Sequence, residues 1–195
     1  SELMIQKTLE AARKGDTVGG IVQVIARGVP AGLGEPVFDK LSASLAHAML
    51  SIGAVRGIEF GDGFEEARKL GSENNDIPYY DEQGAVRFRS NHCGGMLGGI
   101  STGDDIVFRI AVKPTSTISI DQPTINVIKK QNETLAAETR RDPTIVPRVV
   151  PVAEAMTALV LVDHLMMWNG YRSLYHDMEG PQIGRNILEM PDEGE

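Results

Sequence analysis

Residues 106 to 112 read Ile-Val-Phe-Arg-Ile-Ala-Val, with Ile106, Phe108, Ile110 and Val112 at every second position. Successive side chains of a strand point to opposite faces, so this segment reads as a strand with one unbroken apolar face. Two more strands are expected at Val18 through Ala26, which is rich in β-branched residues, and at Val55 to Phe60. Phe38, Leu41, Leu45, Ala48 and Ile52 recur at spacings of three and four, which places them on one face of a helix over residues 37 to 51. Ile5, Leu9 and Ala12 mark a shorter amphipathic helix over residues 2 to 14, ended by Gly15-Asp16. Thr124 to Ala137 reads as a further helix. Pro151 to Trp168 is almost continuously apolar, with Glu154, Asp163 and His164 its only ionisable residues. It reads as a helix buried on most sides, with Pro151 in the first turn. Gly28 to Gly34 is a loop, residues 61 to 105 form a long excursion suited to function, and residues 171 to 195 form a peripheral or partly disordered tail.

A chain of 195 residues with 42% apolar content can form one compact domain or a substantial part of a larger one. Ser1 stands where an initiating Met would be expected, which keeps an incomplete protein in view. The chain has no run of about 18 uninterrupted apolar residues and no signal-peptide pattern, so a soluble, cytoplasmic protein is expected. Its single cysteine, Cys93, cannot form an internal disulfide. The net charge of -8 argues against binding to nucleic acid or an anionic membrane, because phosphate backbones are held by clustered Lys and Arg. Any anion must be met locally, and Lys113, Arg140, Arg141 and Arg148 lie in or beside proline-bearing loops.

Three segments could carry chemistry. Asn91 to Gly103 packs five glycines into thirteen residues, which suits either an anion-binding nest of backbone N–H groups or a set of tight turns without a ligand. Lys113-Pro114-Thr115-Ser116-Thr117 follows a strand and offers an ammonium and three hydroxyls to phosphate or flavin oxygens, or else forms a solvated turn. Arg140-Arg141-Asp142-Pro143 sets two guanidinium groups beside a carboxylate, either to grip an anion or as a surface ion cluster, and Arg148 adds a third. His47, His92, His164 and His176 lack metal-ligand spacing, so no metal site is expected. His164 reads as a core histidine and Cys93 as a packed thiol rather than a nucleophile.

Taken together, these strings resemble the second half of chorismate synthase. The resemblance is collinear: it runs from Gly15-Asp16-Thr17-Val18-Gly19-Gly20 through Gly32 to Leu41, Ser51 to Phe64, Gly71-Ser72-Glu73, Asn74-Asn75-Asp76, Asn91 to Gly103, Lys113 to Ile118, Arg140 to Pro151 and Ala153-Glu154-Ala155-Met156. It covers roughly residues 10 to 168.

The resemblance implies an α+β fold, a β-α-β sandwich with mainly antiparallel sheet, present here in part. It implies a lyase that removes phosphate from 5-enolpyruvylshikimate 3-phosphate by anti-1,4-elimination to give chorismate, using reduced FMN, as a homotetramer. Gly53, Ala54, Gly98, Lys113, Pro114, Thr115, Ser116, Thr117 and Arg140 would then bind FMN, and Asp142 would be the catalytic aspartate near flavin N5. Gly53 stands where many members have Asn, Arg141 replaces a common histidine, and Thr139 a common glycine. The family's N-terminal half supplies two histidines, an arginine-rich substrate pocket and a further flavin-binding segment that nothing here resembles, so the chain alone is expected to be inactive. Whether NADPH reduces the flavin on the protein or an outside reductase does so stays open. A catalytically silent flavin- or phosphate-binding or assembly module is the rival expectation.

Overall fold

The computed structural model describes residues 1–137 and 142–177, the stretch 172–177 by its backbone alone. In chain order the elements are α1 (Glu2–Arg13), β1 (Gly20–Ala26), α2 (Leu41–Leu50), β2 (Val55–Phe60), a 3-10 turn (Gly63–Arg68) and the single-turn α3 (Gly71–Asn74). There follow β3 (Pro78–Tyr80), β4 (Val86–Phe88), β5 (Met96–Leu97), β6 (Ile100–Ser101), β7 (Ile106–Val112), β8 (Gln122–Asn126), β9 (Gln131–Leu135) and α4 (Val146–Asp177).

The alternating segment is the central strand of the main sheet, whose order is β1-β7-β2 with both pairings antiparallel. Strands β1 and β2 are therefore parallel to each other, joined by a crossover through α2 with β7 inserted between them. The predicted face of β7 is the core: Ile106, Phe108 and Ile110 are fully buried and Val112 nearly so. Leu41, Leu45 and Met49 of α2 and Val149 and Ala153 of α4 complete this layer, with Leu33 and Val29 closing it from the loop after β1. Phe60 packs against Phe108 with ring centroids 5.7 Å apart. The opposite sheet face stays open, exposing Ile21 and Ile25, and carries the Arg109–Glu59 ion pair at 3.0 Å.

Five expectations require correction. Residues 124–137 are not a helix but mostly the β8–β9 hairpin, because Thr124, Ile125 and Thr134 favour strand and Asn126 builds the turn. Its Oδ1 accepts the N–H groups of Ile128 at 3.1 Å and Lys129 at 2.9 Å, and Lys130 completes the reversal at φ 52°. Helix α2 begins at Leu41, leaving Phe38 89% exposed outside it. Helix α4 starts at Val146, so Pro151 lies beyond the first turn, and its continuation to Asp177 crosses the expected tail boundary at residue 171. Nor is α4 buried on most sides: Ala153, Thr157 and His164 face inward, while Leu159, Val162 and Met166 face out. Its stretch Val146–Tyr171 is long and apolar enough to cross a membrane by length and composition, yet along one face it packs on α2 and β1.

Candidate functional site

Segment 15–20, which leads from α1 into the first residue of β1, joins the two expected cation-bearing loops. The Thr17 hydroxyl donates to the Thr115 carbonyl at 2.7 Å, the Val18 N–H to the Pro143 carbonyl at 2.9 Å, and the Ser119 N–H to the Gly15 carbonyl at 2.8 Å. Gly19 lies against the backbone of Lys113 and Pro114, and Gly20 against the Val146 side chain. The sequence reading gave these residues no role in the site; the adjacent glycines just before a strand were the signal.

The third wall is the turn that leads from α2 to β2. Ala54 adopts φ 72°, a left-handed conformation that costs a non-glycine residue about 1–2 kcal/mol. Its carbonyl accepts the Lys113 N–H at 2.9 Å. Gly53 is exposed, and a β-carbon built on it would meet nothing within 4 Å, so the backbone faces open space. Thus Gly53, Ala54, Lys113 to Thr117 and Asp142 gather at one end of the main sheet.

Within this cluster Pro114 and Ser116 are exposed, whereas Lys113, Thr115 and Thr117 are half-buried. The Thr115 hydroxyl is itself buried without a hydrogen-bond partner, an arrangement that costs free energy unless a ligand or water meets it. Asp142 is held by Arg148 through two contacts, Nη1 to Oδ2 at 2.7 Å and Nη2 to Oδ1 at 3.3 Å. Arg140 and Arg141, with Thr139, lie outside the described residues.

Gly98 sits elsewhere. With Gly99 it forms the two-residue turn of the β5–β6 hairpin, both at positive φ. The Gly99 carbonyl accepts the Leu41 N–H at the start of α2, whereas Gly53 and Ala54 follow its end. The ten helical residues between put Gly98 roughly 15 Å from them along the axis.

The remaining glycine-rich loop resolves the choice between nest and turn. The backbone N–H groups of His92 and Cys93 converge on the Asp76 carboxylate at 2.8 and 2.9 Å, and Ser90 Oγ adds a third donor at 2.7 Å. An anion does sit in the nest, and it belongs to the chain. Burial works to raise the Asp76 pKa, but the Cys93 N–H, the Ser90 hydroxyl and the His92 N–H together hold it below the usual carboxylate range. Cys93 is pushed up to about 11, by burial first and the Asp76 charge second. Next to it, Asp62 bonds both Lys69 Nζ and, at 2.6 Å, His92 Nδ1. Lys69 foremost, then His92, lower the Asp62 pKa. This cluster was not anticipated from sequence, because its members are scattered over 30 residues. It lies where β2 ends and β7 begins, at the far end of the sheet from Lys113.

Comparison with known proteins places this geometry. The family model for chorismate synthase matches residues 1–166. The chain is 55% identical over 177 residues to the chorismate synthase of Acetivibrio thermocellus, covering 90% of this chain and 45% of that protein. To that of Methanocaldococcus jannaschii it is 51% identical over 168 residues, covering 86% and 44%. A solved crystal structure of chorismate synthase superimposes with a TM-score of 0.69 at 34% identity, covering 85% of this chain and 42% of that one. The chain therefore spans a little under half the length of these relatives, with antiparallel pairing throughout as expected. It belongs to the chorismate synthase family.

Proposed function

We propose that this chain carries the flavin-facing wall of a cytoplasmic, homotetrameric chorismate synthase. That lyase breaks the C–O bond to phosphate and a C6–H bond of 5-enolpyruvylshikimate 3-phosphate; a new double bond forms as phosphate and the C6 hydrogen, in net terms a proton, leave, with no net redox change. The observation that carries the proposal is the convergence on one sheet end of Thr115 and Asp142 through segment 15–20 and of Ala54 through the Lys113 N–H, with the Thr115 hydroxyl buried and unsatisfied.

The residues present fit a flavin mononucleotide. Open backbone at Gly53, beside Ala54, suits close approach of a flat ring, the Thr115 hydroxyl is a ready donor, and Lys113, which forms no ion pair among the described residues, supplies charge for a phosphate. Pro114, Ser116 and Thr117 extend the same wall, and Arg140, which lies outside the described residues, is a further flavin ligand in this proposal. Gly98, on its separate turn, reaches only the far end of an elongated ligand. Reduced FMN, when bound, supplies the electron density that helps phosphate leave, with NADPH or an outside reductase as the source of reduction. Asp142 accepts a proton at a carboxylate oxygen, and Lys113 compensates negative charge.

The test supplies the complementary half of a family member in trans with reduced FMN and the shikimate substrate. Chorismate formation that is lost in Asp142→Ala supports the proposal; undiminished turnover in that variant removes Asp142 from the chemistry. The same complementation separates the rival, a catalytically silent module, which would bind flavin or phosphate in a titration of the chain alone and never contribute to turnover.

A further inference from the structure

Arg148 contacts both oxygens of Asp142, at 2.7 and 3.3 Å. A two-pronged guanidinium fixes the plane of a carboxylate as well as its position, which the point charge of a lysine does not. Both partners are anchored: the Pro143 carbonyl next to Asp142 is held by the Val18 N–H, and Arg148 stands in the first turn of α4 with its own N–H on the Ile145 carbonyl, each at 2.9 Å. The guanidinium is 75% exposed and the carboxylate 45%, so the pair contributes little to folding. Its fork geometry is what sets it apart.

A carboxylate that must take a proton works only with an oxygen aimed at the donor. The fork leaves further lone pairs on each Asp142 oxygen free to accept. We infer that Arg148 is a positioning residue that holds the Asp142 carboxylate in a single orientation toward the cofactor wall, an inference that rests on the role proposed for Asp142.

Two experiments test it. In the chain by itself, NMR of the Arg148 guanidinium should show slowed rotation that disappears in Asp142→Asn; free rotation in the wild-type chain overturns the inference without any assay of turnover. In the complemented enzyme, Arg148→Gln and Arg148→Lys should each lower kcat by about tenfold to a hundredfold. Substrate KM, FMN affinity and the thermal midpoint should hold, and methylguanidinium should restore part of kcat to Arg148→Ala. Full activity in Arg148→Lys means charge alone suffices and overturns the fork; a raised KM with kcat unchanged makes Arg148 a substrate ligand and overturns it too. Turnover that survives Asp142→Ala defeats the parent proposal instead, whereas loss in Asp142→Ala with full kcat in both Arg148 variants defeats this inference alone.

Discussion

Gly19 leaves no room for a side chain against Lys113. A β-carbon on Gly19 would lie closer to the Val112 carbonyl oxygen than real β-carbons come, and only 3.0 Å from the Lys113 carbonyl carbon and from Pro114 Cδ, so backbone would have to move. Gly19→Ala should therefore part segment 15–20 from the Lys113 loop, costing about 1–3 kcal/mol by urea unfolding. Flavin affinity should fall with it. Unchanged values in both measurements would show that this contact does not set the loop's position.

Removing the Thr17 hydroxyl tests the same hub more gently. It donates to the Thr115 carbonyl at 2.7 Å, and Thr17 is almost fully buried. Thr17→Val keeps the shape and orphans that carbonyl, so about 1–3 kcal/mol should be lost. Hydrogen exchange should quicken at Lys113 and Ser119, whose N–H groups hold the two ends of the loop.

Much of this fold was legible because β7 and α2 declare themselves by period and α4 by its apolar run. Ile106, Phe108, Ile110 and Val112 face the core as their alternation requires, and Leu41 and Leu45 do so at helical spacing. The error at residues 124–137 arose because the apolar residues of a two-sided exposed hairpin follow no buried face; Asn126, as a turn builder, was the better guide. The exposure of α4 was illegible for another reason: an apolar run tells which residues avoid water, not how many neighbours a given span provides. Lys113 to Thr117 and Asp142 were recognisable as site candidates, yet the residues that join them, Thr17 and Val18, act through one hydroxyl and one backbone N–H and leave no charge pattern to read.

The Asp62 cluster should respond to acid. Lys69 and then His92 lower the folded pKa of Asp62, so its contribution is fully present above the ordinary carboxylate pKa and is lost as pH falls through the lower folded value. Below that range, the protection factor of the Asp62 N–H, which bonds the His92 carbonyl at 2.8 Å, should fall once the intrinsic pH dependence of amide exchange is divided out. Asp62→Asn should show the lower protection factor already at neutral pH and little further change in it on acidification.

Cys93 should be a poor nucleophile at neutral pH. With its pKa near 11, raised by burial and the Asp76 charge, only a trace of thiolate exists at pH 7. Alkylation by iodoacetamide should be slow and should rise about tenfold per pH unit until that value is approached. Rapid labelling at pH 7 would mean that the Asp76-held loop opens readily.

Helix α4 carries two apolar stripes, and only one has a partner among the described residues. Val149, Ala153 and Met156 pack inward, while Leu159, Val162 and Met166, spaced three and four apart, are 66%, 53% and 68% exposed. An exposed apolar stripe of this kind drives association. The chain should therefore self-associate with rising concentration in sedimentation experiments. Replacing Leu159, Val162 and Met166 together by Gln should suppress this, with each substitution changing monomer stability by no more than about 0.5 kcal/mol, because none of the three enters the core. If the triple variant associates as before, the surface responsible lies elsewhere, and the open sheet face bearing Ile21 and Ile25 is the next to substitute.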